Sequence, residues 1–174
     1  MGTRHALAFF DEGEFKVAQY NQWDGYPDGN GLDFLRKVRE NDLDMLRRKV
    51  NACHWLTEDE IEELNKNDNW SEEYPWLSRD CSANIVDYLM ESQGLGLFDR
   101  SGFFYEGLYC EWGYLVDFEK GTFEVYEGFN QEPNDETHRF ISEGVDSEYH
   151  PVRLVKSYPL DDLPTDERFL ADLM

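Results

Sequence analysis

The apolar residues of this chain fall into three blocks, and the spacing differs from block to block. His5 to Phe10 is an apolar run that stops at Asp11, Glu12, Gly13 and Glu14, after which Phe15 to Tyr20 leads back. A polar break containing glycine between two such runs predicts a β-hairpin. Residues 21–31 are dense in Gly, Asp, Asn and Pro and read as a loop with aromatics embedded in it. Leu32, Leu35 and Val38 then recur near helical spacing. Asp42 stands where it can cap a second helix, in which Leu43, Leu46 and Val50 share a face. Thr57 followed three residues later by Glu60 is a capping-box pattern, and it predicts a short acidic helix to about Asn65.

Residues 67–77 read as an irregular packed loop. A helix is predicted from about Arg79 to Ser92, with Ile85, Val86, Leu89 and Met90 toward the core and Gly94 and Gly96 ending it. The third block is a second hairpin: Leu108 to Phe118, a turn at 119–121, and a return from Thr122 to Phe129. Residues 130–148 read as an acidic loop and Val152 to Tyr158 as a last strand. Pro164 precedes a short terminal helix through Phe169 and Leu173. The order hairpin, helices, hairpin, strand predicts an α+β fold. Its antiparallel or mixed sheet, built from the N-terminal hairpin, the late hairpin and the last strand, would pack against a central helical block. At 174 residues this is one compact domain spanning 1–174.

Charge changes this picture. The net charge is −22, yet 16% of the residues are aromatic, which separates the chain from disordered acidic sequences. Residues 1–50 hold 8 basic and 9 acidic side chains, whereas residues 51–174 hold 8 and 29, so nearly all the excess lies after residue 50. Such a field repels nucleic acid and anionic membranes and attracts basic protein surfaces. The basic residues of the first third, Arg36, Lys37, Arg39, Arg47, Arg48 and Lys49, cluster in the helical block. Cys53, Cys81 and Cys110 form neither a disulfide framework nor a zinc motif. With no apolar leader and no membrane-length apolar run, the expectation is a cytoplasmic protein with reduced thiols.

Candidate chemistry is sparse. If Asp24 opened an EF-hand loop, Tyr26 and Leu35 would occupy ligand positions, so a standard calcium loop is rejected, and only a looser pairing of Asp24 with Asp28 is left. His5, His54, His138 and His150 are scattered outside metallohydrolase spacings, and no glycine-rich phosphate cradle is present. No cofactor and no metal are expected. Glu111, placed among aromatics in the late hairpin, could act as a general acid and form a carboxylate pair with Asp24. Read as a strand, this stretch puts Cys110 and Trp112 on one face and Glu111 and Asp117 on the other. Cys81 near a predicted helix start could have a lowered pKa, although buried inert thiols are the preferred reading for all three cysteines.

Several short segments together resemble a family of bacterial, phage and fungal proteins. They are Met1-Gly2-Thr3-Arg4, Lys16-Val17-Ala18-Gln19-Tyr20, Gln22-Trp23-Asp24-Gly25-Tyr26-Pro27, Leu77-Ser78-Arg79-Asp80, Cys110-Glu111-Trp112 and Thr122-Phe123-Glu124-Val125-Tyr126. The resemblance spans most of the chain and marks residues 19–27 as more than ordinary surface. It brings no catalytic residue with it.

Three functional expectations follow. In the first, the chain is an acidic protein-binding module facing a basic partner surface, most concretely a phage or mobile-element inhibitor that mimics nucleic-acid charge. Its contacts would be Gln22, Trp23, Tyr26, Glu62, Glu63, Trp70, Glu72 and Glu73. In the second, it is a small hydrolase whose polar pocket around Asp24 and Glu111 also draws on Arg4, Gln22, Arg79 and Asp80, with Trp23 and Trp112 as walls. In the third, it is an accessory protein in which the signature residues only stabilise the fold, for instance through an Arg4–Asp24 pair.

Overall fold

The computed structural model of the chain describes residues 2–142 and 148–174. The first hairpin is β1 (His5–Asp11) and β2 (Glu14–Asn21), paired antiparallel. Its two-residue turn places Glu12 and Gly13 at φ 54° and 77°. Left-handed values at both turn positions match the twist of a tight hairpin, and glycine at the second adopts them without strain. A wide helical turn, Pro27–Gly31, leads into α1 (Leu32–Glu40), which is followed by α2 (Leu43–Asn51). Asp42 caps α2 by accepting from the Met45 N–H at 3.0 Å. β3 (His54–Trp55) precedes α3 (Glu58–Asn65), whose capping box is complete: Thr57 accepts from the Glu60 N–H, and Glu60 accepts from the Thr57 N–H.

The stretch read as an irregular loop holds α4 (Trp70–Glu73) and a 3-10 turn at Pro75–Leu77. The next helix starts later than its periodicity suggests. Ser82 has φ 48° within a 3-10 turn at Ser82–Asn84, so α5 covers only Ile85–Glu91. β4 (Gly96–Leu97) pairs in parallel with β3, a two-stranded sheet too short to have left a periodic signal. The late hairpin is β5 (Trp112–Asp117) and β6 (Thr122–Glu127), turning through Gly121 at φ 68°. Residues 108–111 lie outside it because the Cys110 N–H folds back onto the Glu106 carbonyl at 2.8 Å. Cys110 and Trp112 therefore do not share a strand face: Cys110 joins the core on one side of the sheet and Trp112 the core on the other. β7 (Arg153–Pro159) completes the sheet, and α6 (Asp166–Leu173) follows with Thr165 as its cap. The expected loop at 130–148 is described except at 143–147, which lie outside the described residues.

The main sheet runs β2-β1-β5-β6-β7, with β1 and β5 parallel and every other neighbour antiparallel. It is a mixed sheet packed on helices. Both of its faces are covered, which explains why β1 is buried along nearly its whole length rather than on alternate residues. Its alternation is one of size instead. Leu7 and Phe9 face the helices, where they meet Phe34, Leu35 and Val38 of α1, Leu46 of α2 and Ile85 of α5. Ala6 and Ala8 face the other way, beneath Phe103, Phe104 and Phe140. The small alanines leave room for this aromatic layer, in which Phe104 and Phe140 stack with ring centres 4.6 Å apart.

The charge asymmetry of the sequence resolves in the same packing. Arg36 and Arg39 of α1 both hold Asp166 of α6, Lys37 holds Asp87 of α5, and Arg47 of α2 holds the buried Asp11 at the end of β1. The cations of the first third thus join elements far apart in sequence. Among the described residues no helix is long and apolar enough to cross a membrane.

Candidate functional site: a groove over the β2 edge

β2 is an edge strand, and its outer side is only partly covered. The Gln22 N–H donates to the Arg79 carbonyl at 3.0 Å, and the Arg100 N–H donates to the Ala18 carbonyl at 3.0 Å. Backbone groups in an antiparallel strand point alternately toward and away from its neighbour. Ala18 and Gln22 both point outward, so Tyr20 between them presents its N–H and C=O to the gap between these two loop contacts. A cleft of about 400 Å³ occupies that gap.

Its first wall is residues 77–80, and the signature segment fastens this wall in place. The Trp23 indole N–H donates to Asp80 Oδ1 at 2.7 Å, beside the Gln22–Arg79 backbone bond. The Tyr20 hydroxyl donates to the Gln22 side-chain carbonyl. The loop is itself anchored to the sheet by the Gly25 N–H donating to the Thr3 carbonyl and the buried Tyr114 hydroxyl donating to the Gly25 carbonyl at 2.7 Å. A Cβ on residue 25 would lie 2.7 Å from the Cβ of His5, so this approach requires glycine. Asp24 takes φ 54° to make the bend, and its carbonyl accepts from the Asn30 N–H at 2.7 Å.

The opposite wall is Phe98 and Arg100, the guanidinium lying 4.9 Å from the Phe98 ring centre. Trp70 stands edge-on to Phe98 at 6.1 Å. The floor is Gln19, which is 7% exposed. Its side-chain N–H donates to the Trp76 carbonyl at 2.6 Å, and this orients the amide. Its Oε1 is buried and has no hydrogen-bond partner among the described residues. Past Tyr20 and Arg100 the groove opens into a second concavity of about 640 Å³, which Arg4, Tyr109 and the carboxylate residues Asp99 and Glu106 also line. The Arg4 guanidinium sits 5.3 Å from the Tyr109 ring centre. None of Arg4, Arg79 and Arg100 forms an ion pair among the described residues.

The sequence candidates separate accordingly. Arg79, Asp80 and Trp70 line the groove, Gln22 and Trp23 hold its wall, and Arg4 lines its extension. Asp24 and Glu111 border neither concavity. Glu111 accepts from the Arg4 main-chain N–H at 2.9 Å, and Asp24, Asp28 and Tyr26 are exposed on the loop. Glu62 and Glu63 lie on α3 and Glu72 and Glu73 on α4, all exposed. The stretch of residues 19–27 that the sequence marks as more than ordinary surface supplies Gln19 and Tyr20, whereas Phe98 and Arg100 are not sequence candidates. Gln19 and Tyr20 belong to the signature segment, but Phe98 and Arg100 follow a helix end in a stretch that carries no motif.

The thiols are poorly suited to nucleophilic chemistry. Burial, aided slightly by Asp87, pushes Cys81 up to about 12, the opposite of the lowered value a helix start could have supplied. Burial also raises Cys53 and Cys110. Among the described residues no three His, Cys, Asp or Glu side chains gather to hold a metal ion. Compared with protein-family models, curated proteins and solved structures, the chain matches none.

Proposed function

We propose that the protein is an acidic binding module that docks on a basic protein surface. The observation that carries this reading is α3. A helix of eight residues ordinarily owes its place to a buried face, but α3 has no buried residue and is acidic at Glu58, Asp59, Glu60, Glu62 and Glu63. A capping box holds its first turn, so it stands as a preformed charged ridge. Against it, Leu64 and the exposed Tyr74 help to line an open concavity of about 480 Å³ rimmed by Asp59, Glu60 and Glu63. Carboxylates around an apolar floor suit a Lys or Arg side chain, whose stem packs while its head pairs. Lys66 pairs with Glu63 at 2.8 Å and His54 meets Glu60 at 3.2 Å, whereas Arg36, Arg39, Lys37 and Arg47 are engaged in internal pairs and do not offset this surface. The most concrete form of the reading is an inhibitor from a phage or mobile element that occupies the nucleic-acid site of a basic host protein.

The test compares the protein with its Glu62→Lys/Glu63→Lys/Glu72→Lys/Glu73→Lys variant as immobilised bait. We expect the parent to hold a basic protein near one-to-one and to release it at high salt or to competing duplex DNA. The variant, with an unchanged circular-dichroism spectrum, should hold far less. Equal capture by both proteins, or capture indifferent to salt, would overturn the reading.

A further inference from the structure

The groove over the β2 edge brings arginines together around one cleft. In a chain of net charge −22, it collects Arg79 and Arg100, with Arg4 just beyond, and leaves all three without a carboxylate partner among the described residues. Arginines placed near so many acidic groups would ordinarily be drawn into pairs, as Arg36, Arg39, Arg47 and Arg139 are. Asp80 lines the same cleft, but its Oδ1 accepts from the Trp23 indole. Gln19 supplies an independent indication. One N–H of its amide donates to the Trp76 carbonyl and fixes the amide's orientation, while its buried Oε1 accepts from no donor among the described residues, and an unsatisfied buried acceptor is costly. Phe98 and Trp70 add flat apolar walls. The volume of about 400 Å³ suits a small molecule. Among the described residues that line the cleft, Tyr20 alone offers free strand-edge backbone, between the bonds made at Ala18 and Gln22, too little for an added peptide strand.

We propose that this groove binds a small anion that carries a planar ring with an N–H or O–H donor. The anionic group lies between Arg79 and Arg100, the ring packs against Phe98 and Trp70, and the ring's donor reaches Gln19 Oε1. Arginine's fixed fork of donors matches both phosphate and carboxylate, so phosphate monoesters and carboxylates share this chemistry. The site is separate from the acidic ridge of α3, and it stands or falls independently of that reading.

Isothermal titration of the full chain at low salt tests it with two sets of probes. One set is the four common nucleoside monophosphates, with the matching nucleosides and ribose 5-phosphate as partial ligands. The other is indole-3-acetate, with indole and acetate as partial ligands. We expect at least one complete probe to bind with a Kd of about 1 mM or tighter, and its separated parts to bind at least about tenfold more weakly. Binding within the first set assigns a phosphate ligand, and binding of indole-3-acetate assigns a carboxylate. Arg79→Gln/Arg100→Gln should weaken the positive probe about tenfold or more, while Arg153→Gln, an exposed arginine elsewhere, should leave it within about twofold. The α3–α4 charge-reversal variant should keep binding, which separates this site from the protein-binding surface. No binding by either set, or equal losses with Arg153→Gln and the groove double variant, would overturn the proposal.

Discussion

Two groups of arginines on this molecule differ in how they are used. On the face of the sheet away from the helices, Arg139 is 12% exposed by its side chain and reaches Asp117 and Glu124, which are 1% and 5% exposed. It also lies 4.7 Å from the Phe10 ring centre. Burial works against its charge, but hydrogen bonds to Glu124 and Asp117 outweigh that effect and hold its pKa above the ordinary value. At the β2 edge, Arg79 and Arg100 are exposed, form no ion pair among the described residues and are placed around a cleft. Arg139 therefore maintains the fold, whereas Arg79 and Arg100 remain available to a ligand. Residue type and net charge do not distinguish the two uses.

The strongest way to break this comparison is to remove Arg139. Arg139→Met leaves two buried carboxylates without their cation and should cost about 3–5 kcal/mol in urea unfolding. Adding Asp117→Asn and Glu124→Gln should return part of that loss, because the uncompensated charges go with their partners. A loss under about 1 kcal/mol would mean that Arg139 is not a structural cation.

Acid should bear on the region behind the groove wall. Burial, opposed slightly by a bond to the Thr3 carbonyl, lowers the His5 pKa from 6.5 to about 4. Between these values the unfolded chain carries a proton at His5 that the folded chain does not, so stability falls as pH drops through this window. The contribution of this single group should reach about 3 kcal/mol by pH 4. It is read as the difference in pH dependence between the parent and His5→Gln. Parallel curves would show that His5 protonates freely in the folded state.

A smaller effect tests the anchoring of the wall. Gly25→Ala puts a Cβ 2.7 Å from His5 Cβ and 2.8 Å from the Thr3 carbonyl oxygen. It should cost about 1–3 kcal/mol and also weaken any ligand that needs Arg79. The smallest effect sharpens the contrast most. Arg79→Gln/Arg100→Gln should leave unfolding within about 0.5 kcal/mol of the parent. A larger loss would move these residues into the same structural class as Arg139.

The features legible in the sequence share one property, which is that their chemistry closes within a few residues. The Glu12-Gly13 turn, the Asp42 cap and the Thr57–Glu60 box each join neighbours along the chain, and the structure contains all three. The α+β class followed from where such local signals lay. Prediction failed where a local pattern met a distant constraint. Apolar periodicity placed a helix start near Arg79, but the 79–80 segment is tied to Gln22 and Trp23, and α5 begins only at Ile85. The apolar run from Leu108 looked like strand, but the 106–110 turn delays β5 to Trp112. Asp24 and Glu111 border neither concavity, a placement that residue type alone does not fix.

Composition by itself determined that the chain is aromatic enough to fold and acidic enough to favour cations, and local spacing determined most of its turns and caps. Only the tertiary structure decided that β5 would join β1 in parallel, that both sheet faces would be buried, and which arginines would find partners. Arg36 pairs with Asp166 across 130 residues, and nothing near either residue announces it. Turns and caps depend on backbone geometry set by adjacent residues. An ion pair, or the absence of one, depends on which distant elements packing brings together, so the arginines of the groove, without ion pairs among the described residues, could be recognised only in the folded chain.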